Sequence, residues 1–232
     1  MLTSDTLLAA LARMVQVIIE EAPILGDLDA AIGDGDHGVN MVVGFRAVEE
    51  EYACLTGQDI ESILGHIGTT LMAAIGGASG PLYNSAFTEA AKMAGPVYSV
   101  GAREVAAMLN AARDGVARRG RSCPGEKTML DTLEWAAREA RNCALLDIPA
   151  RAVGDRIAAA AAGGMLSTRG MIAQRGRARS LRERTVDHLD PGAASCYLLI
   201  ATLCGHRASL ASLARGSMLA GNRVASDGQD GE

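Results

Sequence analysis

Residues 59–75 read DIESILGHIGTTLMAAI, and their apolar side chains recur every three or four positions. The recurring residues are Ile60, Ile63, Leu64, Ile67, Leu71 and Ile75. This spacing places one apolar stripe along an α-helix. No segment of the chain alternates β-branched and aromatic residues with polar ones, as a half-buried strand does. The sequence therefore predicts an all-α protein.

Helical periodicity extends outward from this segment over nearly the whole chain. The eight predicted helices cover about 4–22, 38–54, 59–75, 82–94, 102–118, 127–142, 149–168 and 192–214. Hydrophobic residues make up 49% of the composition and aromatic residues only 3%, so the predicted core is aliphatic. Helices of these lengths pack side by side. We expect one domain over residues 1–215 and a flexible tail over 216–232, in which residues 226–232 are small and acidic.

Charge and cysteine content limit the classes of function. The formal net charge of −5 argues against nucleic acid as a partner. None of the five cysteines forms a CxxC pair, which is typical of free thiols in a reducing cytoplasm. No run of eighteen or more apolar residues is present, so no membrane span is predicted.

Residues 28–38 read LDAAIGDGDHG and place three carboxylates, Asp29, Asp34 and Asp36, close together. Carboxylates held this close repel one another unless a cation lies among them, and oxygen ligands suit Mg²⁺ or Ca²⁺. Mg²⁺ commonly bridges carboxylates to phosphate, so the segment indicates phosphate chemistry. The alternative is a polar loop whose glycines only turn the chain. His37 does not decide between these interpretations, because a histidine can bind a phosphate and can equally orient a neighbouring aspartate.

Three further segments between predicted helices carry residue types that bind phosphate. GGASGP at 76–81 precedes a helix and offers free N–H groups and the Ser79 hydroxyl, although a plain helix connection explains it equally well. GEKT at 125–128 fits a helix cap better than a nucleotide contact. Five arginines at 175–184 suit phosphate oxygens or form a solvated basic surface. They lie in a predicted long loop over about 170–190.

In this order, the motifs resemble those of the L subunits of dihydroxyacetone kinases, over about residues 5–212. The matching segments are 28–38, 76–82, 125–129, 176–178 and 188–192. The resemblance implies a closed barrel of eight antiparallel helices, which agrees with the eight predicted helices. The chain departs from the family pattern at Asn84, Arg179, Arg182 and Asp187.

The resemblance also implies the site residues. Asp29, Asp34 and Asp36 would bind two Mg²⁺ ions, which hold the nucleotide phosphates. The residues implied around ADP or ATP are His37, Gly38, Val39, Asn40, Ala78, Ser79, Gly120, Met129, Arg177, Asp190, Pro191 and Gly192.

The implied function is that of a cytoplasmic kinase subunit, active only with its partner. It would pass a phosphoryl group to dihydroxyacetone, or another short ketose, held on a separate K subunit. Some versions keep ADP bound and are recharged by a phosphocarrier M subunit, whereas others exchange ATP. We expect a monomer, or a dimer at most, that pairs with its K subunit.

Two alternatives remain: a non-catalytic nucleotide-binding or regulatory interaction module of the same fold, and an all-α domain with a lipid-filled or methionine-lined interior. The last leaves the aspartates unexplained.

Overall fold

The structure is a computed structural model that describes residues 1–146 and 148–211. Its α-helices are α1 Ser4–Ile32, α2 His37–Glu50, α3 Tyr52–Leu55, α4 Ile60–Ala74, α5 Ser79–Ala94, α6 Ala102–Gly120, α7 Met129–Leu145, α8 Ala150–Ser167 and α9 Pro191–Leu203. Two 3-10 segments, Thr168–Gly170 and Arg177–Thr185, lie between α8 and α9. The all-α prediction is confirmed. The exception is an antiparallel pair of two-residue strands, β1 Leu2–Thr3 and β2 Ser99–Val100, which are too short to show alternation.

The long helices contact one another mainly in chain order. Each packs on the next one, with α2 contacting α4 past the short α3, and α9 packs back on α1. These contacts join eight long helices into a ring. The closed antiparallel barrel stays a prediction, and the neighbour contacts support it.

The apolar stripe of residues 59–75 packs into the core as its spacing predicts. Ile60, Ile63, Ile67 and Leu71 are each at most 1% exposed. Asp59 begins α4 as its N-cap, because its carboxylate accepts the Ser62 N–H at 2.9 Å. Within the part of the chain that the structure describes, no helix is both long enough and apolar enough to cross a bilayer.

Helix α1 is longer than the sequence predicts. The predicted end near residue 22 is wrong, because the helix continues past Pro23 to Ile32. Ile18, Leu25 and Ile32 lie seven residues apart, and each is at most 1% exposed. The buried face therefore runs on through the proline, and tertiary packing outweighs the usual effect of proline on a helix.

Three further boundaries differ from prediction. The helix predicted over 38–54 is divided, with α2 ending at Glu50 before the short α3. The last predicted helix, 192–214, ends at Leu203, where Gly205 takes a positive φ of 88° and closes the C-terminus. The loop predicted over 170–190 contains a 3-10 segment from Arg177 to Thr185. The predicted tail, 216–232, lies outside the described residues.

Candidate functional site

The three aspartates predicted as metal ligands converge in space. One carboxylate oxygen from each of Asp29, Asp34 and Asp36 lies within 4.8 Å of the other two. Asp29 belongs to the last turn of α1, and not to the loop that the sequence suggests. The Asp29 carboxylate therefore sits at the negative end of the helix dipole, and no basic residue in that turn offsets its charge. The arrangement concentrates negative charge where a cation would be stabilised.

Two glycines permit this convergence. A Cβ on Gly33 would lie 2.3 Å from Oδ1 of Asp29, so a side chain at this position would displace the carboxylate. Gly35 has a φ of 77°, which L-residues rarely adopt. These glycines let the chain turn sharply between α1 and α2 and bring Asp34 and Asp36 back over Asp29.

A cation from a distant segment already contacts the cluster. The guanidinium of Arg177, at the start of the second 3-10 segment, forms ion pairs with the carboxylates of Asp34 and Asp36. Its side chain is 61% exposed. Arg177 thereby connects the arginine-rich segment to the aspartates.

His37 opens α2 and is only 7% exposed. Its backbone N–H donates to Oδ2 of Asp29 at 3.2 Å, which supports the interpretation that it orients an aspartate. Its ring Nε2 lies 2.8 Å from Oγ of Ser195 on α9. Burial lowers the pKa of His37, and the charges of Asp29 and Asp36 only partly oppose this.

The aspartates lie at one side of a cavity of about 520 Å³. Besides the three aspartates, the predicted nucleotide residues that line it are His37, Asn40, Ala78, Ser79, Gly120, Met129, Arg177, Asp190, Pro191 and Gly192. The N-termini of α5 and α9 therefore both reach the cavity, and free N–H groups at such ends bind anions. At α9 this leaves the Gly192 N–H, because Pro191 has none and the Ala193 N–H donates to Asp190. The segments that carry these residues are distant in sequence, and the fold brings them to one place.

Two predicted nucleotide residues do not line the cavity. A Cβ on Gly38 would lie 2.1 Å from the Ala22 carbonyl oxygen, so this glycine lets α2 approach the backbone of α1. Val39 is 67% exposed and faces away from the cavity. Gly38 and Val39 follow Asp36 closely in the chain but do not line the cavity as Asp36 does, because successive residues of a helix point in different directions.

Several lining residues lie outside the predicted set, although Leu82, Lys127, Thr128 and Arg175 fall in segments that the sequence analysis singled out. Those outside the predicted set include Leu82, Tyr83, Val116, Arg119, Ser122, Lys127, Thr128 and Arg175. Leu82, Val116 and Met129 supply an apolar wall. Thr128 also caps α7, because its hydroxyl accepts the Leu130 N–H at 3.2 Å. The predicted cap is therefore confirmed, and the same residue also lines the cavity.

Lys127 is the most unusual of the missed residues, because it is 1% exposed and has a φ of 61°. Its ammonium donates to the carbonyl oxygens of Thr168 and His188, which bracket the arginine-rich segment. Burial lowers the pKa of Lys127, and the nearby carboxylates of Asp190 and Asp131 oppose the shift. The GEKT motif and the family-like segment 125–129 pointed to this position, but neither predicted the burial of its side chain.

Asp190 begins α9. Its carboxylate accepts the Ala193 N–H at 2.7 Å, so Asp190 is the N-cap of this helix. Burial raises the pKa of Asp190 to about 7, although this hydrogen bond and Lys127 act in the opposite direction.

Comparison with known proteins adds sequence relatives. The profile of the DAK2 domain matches residues 31–205. The PEP-dependent dihydroxyacetone kinase, ADP-binding subunit DhaL, of Escherichia coli K12 is 35% identical over 193 residues, which cover 83% of this chain and 92% of that protein. The PTS-dependent counterpart of Lactococcus lactis is 34% identical over 203 residues, covering 88% and 97%.

A solved structure shows the same fold. The dihydroxyacetone kinase of C. freundii, in complex with AMP-PNP and Mg²⁺, superposes with a TM-score of 0.59 at 21% identity. The match covers 85% of this chain and 33% of that one.

Proposed function

Because the chain belongs to the DAK2 domain family, we propose that it is the nucleotide-binding subunit of a short-ketose kinase. In this proposal it uses Mg²⁺ with ADP or ATP and passes a phosphoryl group to dihydroxyacetone held on a separate K subunit. The observation that carries the proposal is the convergence of three carboxylates at the side of a cavity large enough for a nucleotide. Relatives of matching length are named as ADP-binding subunits of dihydroxyacetone kinases.

The donor set fits Mg²⁺. Asp29, Asp34 and Asp36 offer only oxygen ligands, with neither histidine nitrogen nor thiolate among them. The Arg177 guanidinium on two of these carboxylates shows that the cluster already attracts a cation. We propose two ions here, held by the three aspartates. When bound, Mg²⁺ neutralises charge on phosphate oxygens during phosphoryl transfer.

The remaining lining residues suit the other parts of a nucleotide. The α5 N-terminus with Ser79 presents N–H groups that suit phosphate oxygens, and the α9 N-terminus adds the N–H of Gly192. Leu82, Val116 and Met129 provide an apolar surface for a purine ring. Arg177 can move its charge from the aspartates onto the phosphates as the segment closes over them.

In this proposal the residues of this chain position the nucleotide and shield it from water, and the K subunit binds the ketose. Phosphoryl transfer needs positioning and charge neutralisation more than covalent chemistry from the protein, so a subunit without a sugar site can still contribute these effects. We propose that the K subunit docks at the mouth of the cavity, beside the aspartates. A phosphocarrier M subunit would recharge ADP in place if the nucleotide stays bound.

The first test is whether the purified chain retains a nucleotide. After extensive dialysis with Mg²⁺, the protein is denatured and any released nucleotide is identified by chromatography. Stoichiometric ADP would support a fixed cofactor, and its absence combined with binding of added ATP would support an exchanging kinase. If neither nucleotide binds, the proposed function is wrong and an interaction module becomes the better interpretation.

An aspartate variant tests the metal role. Asp34→Asn should abolish the Mg²⁺-dependent thermal stabilisation by ADP, because it removes one ligand charge from the cluster. At about 100 times its Kd, a ligand stabilises the folded state by about 2.7 kcal/mol, which a thermal-shift assay resolves readily. The matched control is Asp27→Asn, an exposed carboxylate on α1 outside the cavity. Equal ADP stabilisation in both variants would contradict the metal assignment.

A further inference from the structure

A buried hydroxyl without a hydrogen-bond partner lies just after α6, at the wall of the cavity. Ser122 lines the cavity and is only 8% exposed. Among the described residues its backbone N–H has a partner, but its Oγ has none. Buried polar side-chain atoms are normally paired, because burial without a hydrogen bond costs free energy. The unpaired hydroxyl therefore points to a ligand.

The oxygen of this hydroxyl is open to the cavity. It is not one of the fully buried side-chain atoms that lack a partner within the described residues, so it keeps accessible surface. A Cβ on Gly120 would lie 3.1 Å from Ser122 Oγ and 3.2 Å from Cδ2 of Leu82. All three residues line the cavity, so the hydroxyl stands beside the apolar wall. The absence of a side chain at Gly120 keeps the space between them open.

The end of α6 fixes where this hydroxyl lies. Arg121 takes a left-handed conformation with a φ of 48° and turns the chain out of the helix. The Ser122 N–H donates to the Ala117 carbonyl at 3.1 Å, and the Arg121 N–H donates to the Arg118 carbonyl at 3.4 Å. These are the two bonds of a Schellman motif. Because they hold the backbone of Ser122, the hydroxyl is positioned before any ligand binds.

The surroundings of the hydroxyl suit a nucleobase better than a phosphate. The apolar wall beside it is formed by Leu82, Val116 and Met129. A phosphate against this wall would lose water without gaining partners. A nucleobase combines a flat face, which can pack on the wall, with hydrogen-bonding atoms along its edge. A hydroxyl can donate and accept, so it can pair with an amino group or with a ring nitrogen.

We propose that the Ser122 hydroxyl hydrogen-bonds the edge of the adenine ring and makes Ser122 a specificity-determining residue of the nucleotide site. The proposal rests on the proposed function and names the residue that recognises the base. Its partner on adenine is the 6-amino group or the neighbouring N1. Loss of the hydroxyl should therefore reduce the preference for adenine and leave the contacts to phosphate unchanged.

Calorimetry with ADP and Mg²⁺ is the first test. Ser122→Ala should weaken ADP binding about fivefold, the effect of one hydrogen bond between neutral groups. Cys123→Ala is the matched control, because Cys123 is the next residue of the same loop and its exposed side chain lies outside the cavity. Its ADP affinity should stay within about twofold of wild type. Equal affinities of Ser122→Ala and wild type would contradict the contact.

Base analogues of ADP separate the two partners on adenine. Purine riboside diphosphate lacks the 6-amino group, and 1-deaza-ADP lacks N1. The analogue without the true partner should bind Ser122→Ala and wild type equally, whereas the other analogue should keep the fivefold difference. If Ser122→Ala weakens ADP and both analogues by the same factor, the hydroxyl does not contact this edge of the base, and the proposal is wrong.

Urea unfolding without nucleotide distinguishes a ligand contact from a structural role. Because Ser122 Oγ has no partner among the described residues, Ser122→Ala should unfold at the wild-type urea midpoint or above it. A lower midpoint would show that the hydroxyl stabilises the fold and would overturn the proposal. If the wild type fails to bind ADP, the proposed function is wrong and the base contact falls with it. If the wild type binds ADP and Ser122→Ala binds it equally well, only the base contact is refuted.

Discussion

Nη1 of Arg177 lies 3.5 Å from Oδ2 of Asp36, although 141 residues separate them in the chain. The same guanidinium pairs with Asp34, so it occupies space beside the carboxylates that we assign to Mg²⁺. If Mg²⁺ binds there as proposed, Arg177 and the metal compete for the same negative charge in the absence of nucleotide. With nucleotide, the phosphates give Arg177 another partner.

Arg177→Gln should consequently raise the affinity for Mg²⁺ in the absence of nucleotide and lower the affinity for ADP. Without nucleotide, Mg²⁺ should bind about threefold more tightly, the scale expected for an exposed ion pair. With ADP present, the variant should bind ADP more weakly, because a charge-assisted contact to phosphate is lost. Titration calorimetry measures both. Arg179→Gln, an exposed arginine of the same segment outside the cavity, is the control, and identical behaviour of the two variants would exclude competition at the aspartates.

Asp190 should make stability depend on pH. Burial raises its pKa to about 7, against the influence of Lys127, while Asp131 and Asp29 raise it further. A carboxyl whose folded-state pKa lies above its unfolded value binds more protons when folded. Its contribution to stability is therefore complete below about pH 4 and is lost as pH rises to about 7.

Asp190→Asn should remove this dependence, because an amide does not titrate here and its oxygen can still accept the Ala193 N–H. Relative to wild type, the variant should gain on the order of 2 kcal/mol between pH 4.5 and 8, allowing for the remaining solvent access of Asp190. Urea unfolding at both pH values measures the difference. Parallel pH profiles for the two proteins would show that Asp190 is ionised throughout.

Lys127 should hold both ends of the arginine-rich segment. Its ammonium donates to the carbonyls of Thr168 and His188, and Lys127→Met leaves these acceptors without the charge. We expect a loss of about 3 kcal/mol in the free energy of unfolding, and faster tryptic cleavage at the arginines between the two anchor points. Lys92→Met is the control, since Lys92 is the other lysine of the chain and forms an exposed pair with Glu89. Equal trypsin sensitivity of the two variants would contradict the anchoring role.

What the sequence revealed depended on how local the relevant contacts are. The α4 stripe and the three aspartates were predictable, because a helical period and an eight-residue segment are short-range patterns. The burial of Lys127 was not, because its acceptors lie 41 and 61 residues away. The continuation of α1 past Pro23 was missed for the same reason, since packing of Leu25 and Ile32 outweighs a local helix-breaking signal.

Gly38 gives the sharpest contrast between a motif position and its physical role. A Cβ here would lie 2.1 Å from the Ala22 carbonyl oxygen, and backbone cannot move aside as a flexible side chain can. Gly38→Ala should therefore push α2 from α1 and cost about 1–3 kcal/mol, the usual range for overpacking. Gly65→Ala in α4 is the control, because nothing lies within 4 Å of its added Cβ, and the change should stabilise by about 0.5–1 kcal/mol.

The same displacement should weaken Mg²⁺-dependent ADP binding, although Gly38 does not line the cavity. Asp36 and His37 directly precede Gly38, and the His37 N–H bond to Asp29 depends on where α2 begins. For Gly38→Ala, urea unfolding measures the loss of stability and calorimetry measures the loss of ADP affinity, and both losses should result from the displacement of α2. If stability falls while ADP affinity stays at the wild-type value, the contact between α2 and α1 does not position the aspartates.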